Sequence, residues 1–188
     1  MQSAPQPGAR CAPIATTTRL TLREIDTADA PFILTLVNDP AWLRFIGDKN
    51  VRTQSDARRY IEAGPAAMYA QRGFGLWLAE RREDGVPIGM CGLIKRDALP
   101  DIDLGFAFLP AFRGNGYAFE AAQAAIDFAW RRLGLRRVVA ITAPDNDDSV
   151  RLLERLGFRF ERMLRLADDA QAVRLYAARR PAITRGLK

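Results

Sequence analysis

Arg113, Gly114, Asn115 and Gly116 stand between an apolar run, DIDLGFAFLP, and a long run with helical spacing, FEAAQAAIDFAWRRL. Two near-adjacent glycines let the backbone turn tightly and point successive N–H groups into one concavity. A helix opening there adds its unpaired N-terminal N–H groups and the positive end of its dipole. Such a turn has the shape and charge to hold a pyrophosphate, with an arginine at its edge. An ordinary strand-to-helix connection also uses glycine, for steric reasons alone, and this stretch by itself does not separate the two. A dinucleotide fingerprint would need a third glycine where Phe119 stands and, about 20 residues after Gly116, an acid where Arg136 stands. A P-loop would need Gly-x-x-x-x-Gly-Lys-Ser/Thr, which the chain lacks. The pattern present is Arg-x-x-Gly-x-Ala, from Arg113 through Gly116 to Ala118.

Composition removes other chemistries. The 188 residues include no histidine, which excludes histidine general bases, Ser–His–Asp triads and histidine metal sites. The two cysteines, Cys11 and Cys91, are far apart without metal spacing, so no metal is expected. Cys91 sits in an apolar run and reads as a reduced core residue, in keeping with a cytoplasmic location. No run is apolar and long enough to cross a membrane, and residues 1–17 lack the apolar centre of a signal peptide. The net charge of +6 could attract nucleic acid, an anionic cofactor or an acidic protein. The arginines come as scattered pairs, such as Arg58–Arg59 and Arg136–Arg137, without an interleaved aromatic stripe. They read as solvated faces, and nucleic acid is not the expected partner.

These residues need elements to hold them. The length suits one domain with a substantial core. Residues 1–17 read as a disordered leader, 18–180 as the domain and 181–188 as a tail. RLTLREI alternates as a half-buried strand with Leu20, Leu22 and Ile25 inward. Asp26 or Thr27 then caps a helix with Pro31 in its first turn, and Asn38–Asp39–Pro40 ends it before a short helix from Trp42 to Ile46. Thr53 and Asp56 predict a capping box, and Gly64–Pro65 a kink or break. Asp84–Gly85 predicts a hairpin between strands 74–81 and 88–95, beside which strand 101–110 pairs. The long helix places Phe119, Ala122, Ile126, Trp130 and Leu133 on one face. A strand at 137–143, a turn at 145–149, a short helix ending at Gly157 and strands 158–166 and 173–178 follow. The order predicts a mixed central sheet flanked by helices, α/β or α+β in class.

Across residues 18–180 the chain resembles the GNAT N-acetyltransferase family. In TTRLTLREI, NDP, DLGFAFLPAFRGNGYAFEA and NDDSVRLLERLGF it resembles the RimJ/RimL-type branch, the ribosomal-protein-alanine N-acetyltransferase-like proteins. The resemblance implies a sheet of about seven strands in which the fourth, 101–110, splays from the fifth, 137–143, to admit acetyl-CoA. It implies that the cofactor arm pairs with the backbone of Phe106, Ala107 and Phe108 and touches Asn146. The pyrophosphate would rest beside Arg113 on the N–H groups of Gly114, Asn115, Gly116, Tyr117, Ala118 and Phe119. The implied reaction is direct attack on the thioester, in a ternary complex, by a primary amine of a protein N-terminus or a small molecule.

Many members of the family protonate the departing thiolate with a tyrosine four residues before a Gly-Phe pair, and Leu153 stands there. The RimJ/RimL-type branch implies a serine instead, which matches Ser149, and places its carboxylate near Asp168. Asp103 and Glu161 are further candidates for the general base, with a water chain as the alternative. Asn146, Asp147 and Ser149 equally fit helix-capping positions. The missing tyrosine and the lack of an obvious base leave a second expectation, a non-catalytic acyl-CoA-binding or interaction domain of the same fold. Exposed strand edges would allow a homodimer.

Overall fold

In the computed structural model, residues 12–167 and 170–181 are described. Eight strands form one sheet: β1 (Pro13–Thr16), β2 (Leu20–Arg23), β3 (Leu76–Arg81), β4 (Pro87–Lys95), β5 (Ile102–Phe108), β6 (Arg137–Thr142), β7 (Arg159–Leu164) and β8 (Val173–Arg179). Their order in space is β1-β2-β3-β4-β5-β6-β8-β7, and every neighbouring pair is antiparallel except β5 and β6. The extra strand relative to the expected seven is β1. It pairs with β2 through Ala15↔Leu22 and Thr16↔Thr21, so residues 13–16 join the sheet where the sequence suggested a leader.

The helices are α1 (Ala30–Val37), α2 (Pro40–Phe45), α3 (Gln54–Ile61), α4 (Ala67–Arg72), α5 (Tyr117–Arg131) and α6 (Asp147–Arg155). A π-turn over Glu62–Ala66, containing Pro65, separates α3 from α4. Proline cannot donate to an ordinary helical ladder, and the wider turn absorbs the missing bond. Gly85, at φ 69°, closes the β3–β4 hairpin. At the start of α3, Thr53 accepts from the Asp56 N–H at 3.1 Å, and Asp56 accepts from the Thr53 N–H at 2.8 Å. Thr53→Ala is therefore expected to cost about 1 kcal/mol of stability, read as a shift in the urea midpoint at constant slope.

The sheet is covered on both faces. On one side α5 packs Ala121, Ala122, Ala125 and Ile126 against Leu104 and Phe108 of β5 and Val138 and Ala140 of β6. On the other, α1, α2 and α3 bring Ile33, Trp42 and Ile61 against Leu78, Met90 and Ala107. Side chains alternate along a strand, so Asp103 and Gly105 share the second face with Ala107. A buried ionic cluster pins the start of the helical layer to the sheet. Arg23 of β2 contacts Asp29 at 2.7 Å and Glu80 of β3 at 2.8 Å, all three less than 9 % exposed. Those two carboxylates hold the guanidinium well above its ordinary pKa, against the desolvation that burial imposes.

Candidate active site

The parallel junction between β5 and β6 is a single rung, Asp103↔Val139. Beyond it β5 continues to Phe108 and β6 to Thr142, and the two strands share no further ladder. β5 remains fully paired to β4 on its other edge, from Lys95↔Ile102 to Gly89↔Phe108. The result is a V-shaped gap whose β5 wall presents backbone groups of Phe106 and Phe108, free of a strand partner on that side, whereas Ala107, two residues before the Leu109 N–H that bonds to Ile88, turns its backbone groups to β4.

The gap opens toward the predicted phosphate turn. Pro110–Phe112 forms a 3-10 turn, and Gly114 and Gly116 both take left-handed conformations, at φ 75° and 79°. Gly116 is the N-cap of α5 and offers no side chain to its free N–H groups. Among the described residues, the backbone N–H groups of Gly114, Asn115, Gly116, Tyr117, Ala118 and Phe119 donate to no carbonyl or side chain. Six unsatisfied donors around one helix start form an anion cradle.

The side chains around this cradle differ from the sequence expectation. Arg113 does not reach over the turn. Its Nε donates to the Phe108 carbonyl at 2.8 Å, and its Nη2 pairs with Asp39, which also caps α2. The arginine beside the turn is instead Arg19, which sequence reasoning missed. It donates to the Asn115 carbonyl at 2.9 Å, pairs with Glu120 at 2.7 Å and lies 4.5 Å from the centre of the Tyr117 ring. Glu120 would otherwise place a negative charge in the first turn of α5. Burial raises its pKa, but the Thr17 hydroxyl and the Arg19 N–H and guanidinium together hold it below the ordinary range, so it stays a paired anion. Its partners lie about a hundred residues away in sequence, and no local pattern announces them.

The other wall leads from β6 into α6. Asn146 caps α6 by accepting from the Ser149 N–H at 3.1 Å, so the capping reading holds, while its amide nitrogen has no partner among the described residues. The Ser149 hydroxyl is half-buried and likewise makes no hydrogen bond there. Leu153 follows one turn later and is 1 % exposed within the main core. Helix α2 spans the mouth of the gap. Its N-terminus is tied to the β5 side by Asp39–Arg113, and its C-terminus to the β6 side by Arg44–Asp145 at 2.8 Å. Between these ties the Trp42 indole N–H is buried without an acceptor among the described residues.

The three carboxylates separate cleanly. Asp103 sits at the rung where the strands part and is 1 % exposed. Its Oδ2 accepts from Arg96 Nε at 2.6 Å, and its Oδ1 is buried with no partner among the described residues. Burial pushes its carboxyl up to about 6, against the charge and hydrogen bond of Arg96 and the nearby backbone N–H of Ile141 on β6. Glu161 lies on the edge strand β7, bound through both oxygens to Arg137 at 2.6 and 2.7 Å. Arg137 holds it below the ordinary carboxylate range. A carboxylate so paired is a poor proton acceptor, and the geometry does not bring it to the gap. Asp168 lies outside the described residues. Among the described residues no cluster of acids and cysteines could hold a metal ion, and no helix is long and apolar enough to cross a membrane.

The chain matches the acetyltransferase (GNAT) domain over residues 19–159. It belongs to the GNAT family and is an N-acetyltransferase by that membership. An uncharacterized N-acetyltransferase of Bacillus subtilis, YoaA, is 32% identical over 156 residues, covering 81% of this chain and 86% of that protein. The structure of an acetyltransferase from Agrobacterium tumefaciens superimposes with a TM-score of 0.77 at 25% identity, covering 94% of this chain and 100% of the other. RimL, a ribosomal-protein alpha-N-acetyltransferase solved with coenzyme A, gives a TM-score of 0.76 at 24% identity over 89% of this chain and 98% of its own. Members of the family use acetyl-CoA.

Proposed function

We propose that the protein transfers the acetyl group of acetyl-CoA to a primary amine by direct attack within a ternary complex. The observation that carries this reading is the single rung between β5 and β6, with an uncommitted N–H cradle directly beyond it. In the reaction, a C–N bond forms, the C–S bond breaks, the amine gives up a proton and the thiolate gains one or a hydrogen bond. Acetyl-CoA supplies the activated acyl group. The chain's residues supply the rest. The cradle from Gly114 to Phe119 holds the pyrophosphate, with Arg19 as the nearby cation and Arg113 fixing the shape of the turn from behind. The β5 backbone around Phe106 and Phe108 offers N–H groups to the arm and to the developing oxyanion. Asn146 turns its free amide nitrogen toward the arm.

Asp103 is the base we assign, directly or through one water. It is the only one of the candidate carboxylates among the described residues that lies at the gap, and its raised pKa brings it closer to the range of an α-amino group, about 7.7–8.0. Ser149 is the hydrogen-bond donor to the departing thiolate, in place of the tyrosine that Leu153 replaces. The buried thiol of Cys91 fits a reducing compartment such as the cytoplasm.

Thiol release from acetyl-CoA across a panel of amines tests the reaction. Binding of acetyl-CoA without release on any amine would leave a binding domain instead. Ser149→Ala is expected to lower kcat about tenfold while changing the acetyl-CoA Kd less than about twofold, because the hydroxyl acts only as charge builds on sulfur. Equal losses in turnover and affinity would remove Ser149 from that role.

A further inference from the structure

Among the described residues, two buried side-chain polar atoms have no hydrogen-bond partner: Asp103 Oδ1 and Trp42 Nε1. The first belongs to the carboxylate that serves as base. The second takes no part in the transfer chemistry. An indole N–H can only donate, and a tryptophan is ordinarily buried where that N–H reaches an acceptor. Buried donors left without one are rare, because the group gives up its bond to water and gains nothing in return. Trp42 is 4% exposed, so bulk water does not serve it.

A chain of contacts ties this residue to the gap. The Trp42 backbone N–H lies 3.3 Å from Asp39 Oδ1, the oxygen that Arg113 Nη2 also binds. Arg113 Nε in turn holds the carbonyl of Phe108, the end of the β5 wall, at 2.8 Å. Two residues after Trp42, Arg44 reaches Asp145 beyond β6 at 2.8 Å. Trp42 thus stands in the turn of helix that joins both walls. Its indole belongs to the apolar cluster against which Ala107 of β5 and Leu109 pack.

The two faces of the sheet divide the substrates. The N–H cradle opens α5, which covers one face. Trp42 lies in the layer on the other face, which Asp103 shares. A cofactor seated on the cradle enters the gap from the α5 face, which leaves the opposite face to the amine. The amine substrate is then what brings Trp42 its missing partner.

We infer that Trp42 is an amine-binding residue whose indole N–H donates to an oxygen carried by the amine substrate. The substrates of choice are then amines with a hydrogen-bond-accepting oxygen, such as amino amides, and not plain alkylamines. The inference rests on the acetyltransferase reading and names the substrate class for that site.

Three matched pairs test it, each differing by one carboxamide: glycinamide against methylamine, alaninamide against ethylamine, and phenylalaninamide against phenethylamine. In at least one pair the carboxamide should lead by about fivefold or more in kcat/KM, the size of one net hydrogen bond. Trp42→Phe keeps an apolar ring and removes the N–H. It should shrink that lead to less than about twofold, through KM, with the acetyl-CoA Kd unchanged. Comparing the leads cancels the different basicity of the two amines, and a merely structural indole would lower both members of a pair alike. A second readout needs only the wild type, whose three tryptophans give three indole N–H signals in a nitrogen-15 spectrum. Adding the leading carboxamide to the CoA complex should move one of them downfield, and adding its plain amine should not. Equal turnover within every pair, a lead that survives Trp42→Phe, or indole signals that the carboxamide leaves in place would each overturn the inference while the transferase stands. An indole signal moved downfield by CoA alone would give the N–H to the cofactor and overturn it too. Binding of acetyl-CoA with no turnover of any amine would instead overturn the transferase reading, and the inference with it.

Discussion

Gly116→Glu is expected to weaken acetyl-CoA binding at least about a hundredfold, since a like charge placed against an anion costs several kcal/mol and each 1.4 kcal/mol is tenfold. Two separate effects contribute. Gly116 has φ 79°, a conformation that costs a residue with a side chain about 1–2 kcal/mol. The added carboxylate would also stand among the six free N–H groups and satisfy them in place of the pyrophosphate. A Cβ at this position would lie 3.4 Å from Arg19 Nη2, so the new acid would capture the nearby cation as well. Gly116→Ala separates the two effects. It carries the strain without the charge and should weaken binding by no more than about tenfold. Calorimetric titration, with circular dichroism to establish that each variant is folded, reads both. Wild-type affinity in Gly116→Glu would mean that the pyrophosphate does not rest on this turn.

Asp103→Asn is expected to lower kcat by about 10²–10⁴-fold, the usual contribution of a positioned general base. The pH profile gives a sharper readout than the rate alone. A base works when ionised, so the wild-type rate should fall as pH drops through about 6, the value to which burial lifts this carboxyl. That limb should be absent from Asp103→Asn. Stability carries the opposite sign. The folded carboxyl holds its proton more tightly than the unfolded one, so its contribution to stability is full below the unfolded pKa of 3.8 and is lost as pH rises through about 6. A variant that cannot ionise should lose this dependence too. An unchanged kcat, or an acid limb that survives the substitution, would transfer the role to a water chain.

What the sequence disclosed was local. Gly114 and Gly116, Thr53 with Asp56, and Asp84–Gly85 each occupy the backbone states their types require, because the constraints act within a few residues. The helical spacing after Gly116 likewise found its buried face in Ala122, Ile126 and Trp130. What escaped was set by distant partners. Arg113 turns away from the phosphate turn because Asp39, 74 residues earlier, caps α2 close by. Arg19 and Glu120 meet only once β2 lies beside α5. Glu161 could be set aside only when β7 brought it onto Arg137. β1 has four residues, begins with proline and shows no burial alternation to distinguish it from a leader. The identity of the base needed the position of one rung, and no periodicity in the sequence gives a register between strands separated by a helix.

The placement of β8 between β6 and β7 bears on how the protein can be made. β6 meets the first half of the sheet at one rung, whereas it pairs with β8 along its whole length, from Arg137↔Arg179 to Thr142↔Arg174. β7 has β8 as its sole strand neighbour in the described sheet. On the ribosome, residues 137–142 therefore emerge with a single rung of lateral pairing and residues 159–164 with no strand partner in the described sheet, and both must wait for residues 173–179. The wall of the cleft that β6 builds is among the last parts of the domain to become rigid, and a chain halted before Val173 would present the open edge of β6 and an unpaired β7 to whatever else is folding nearby.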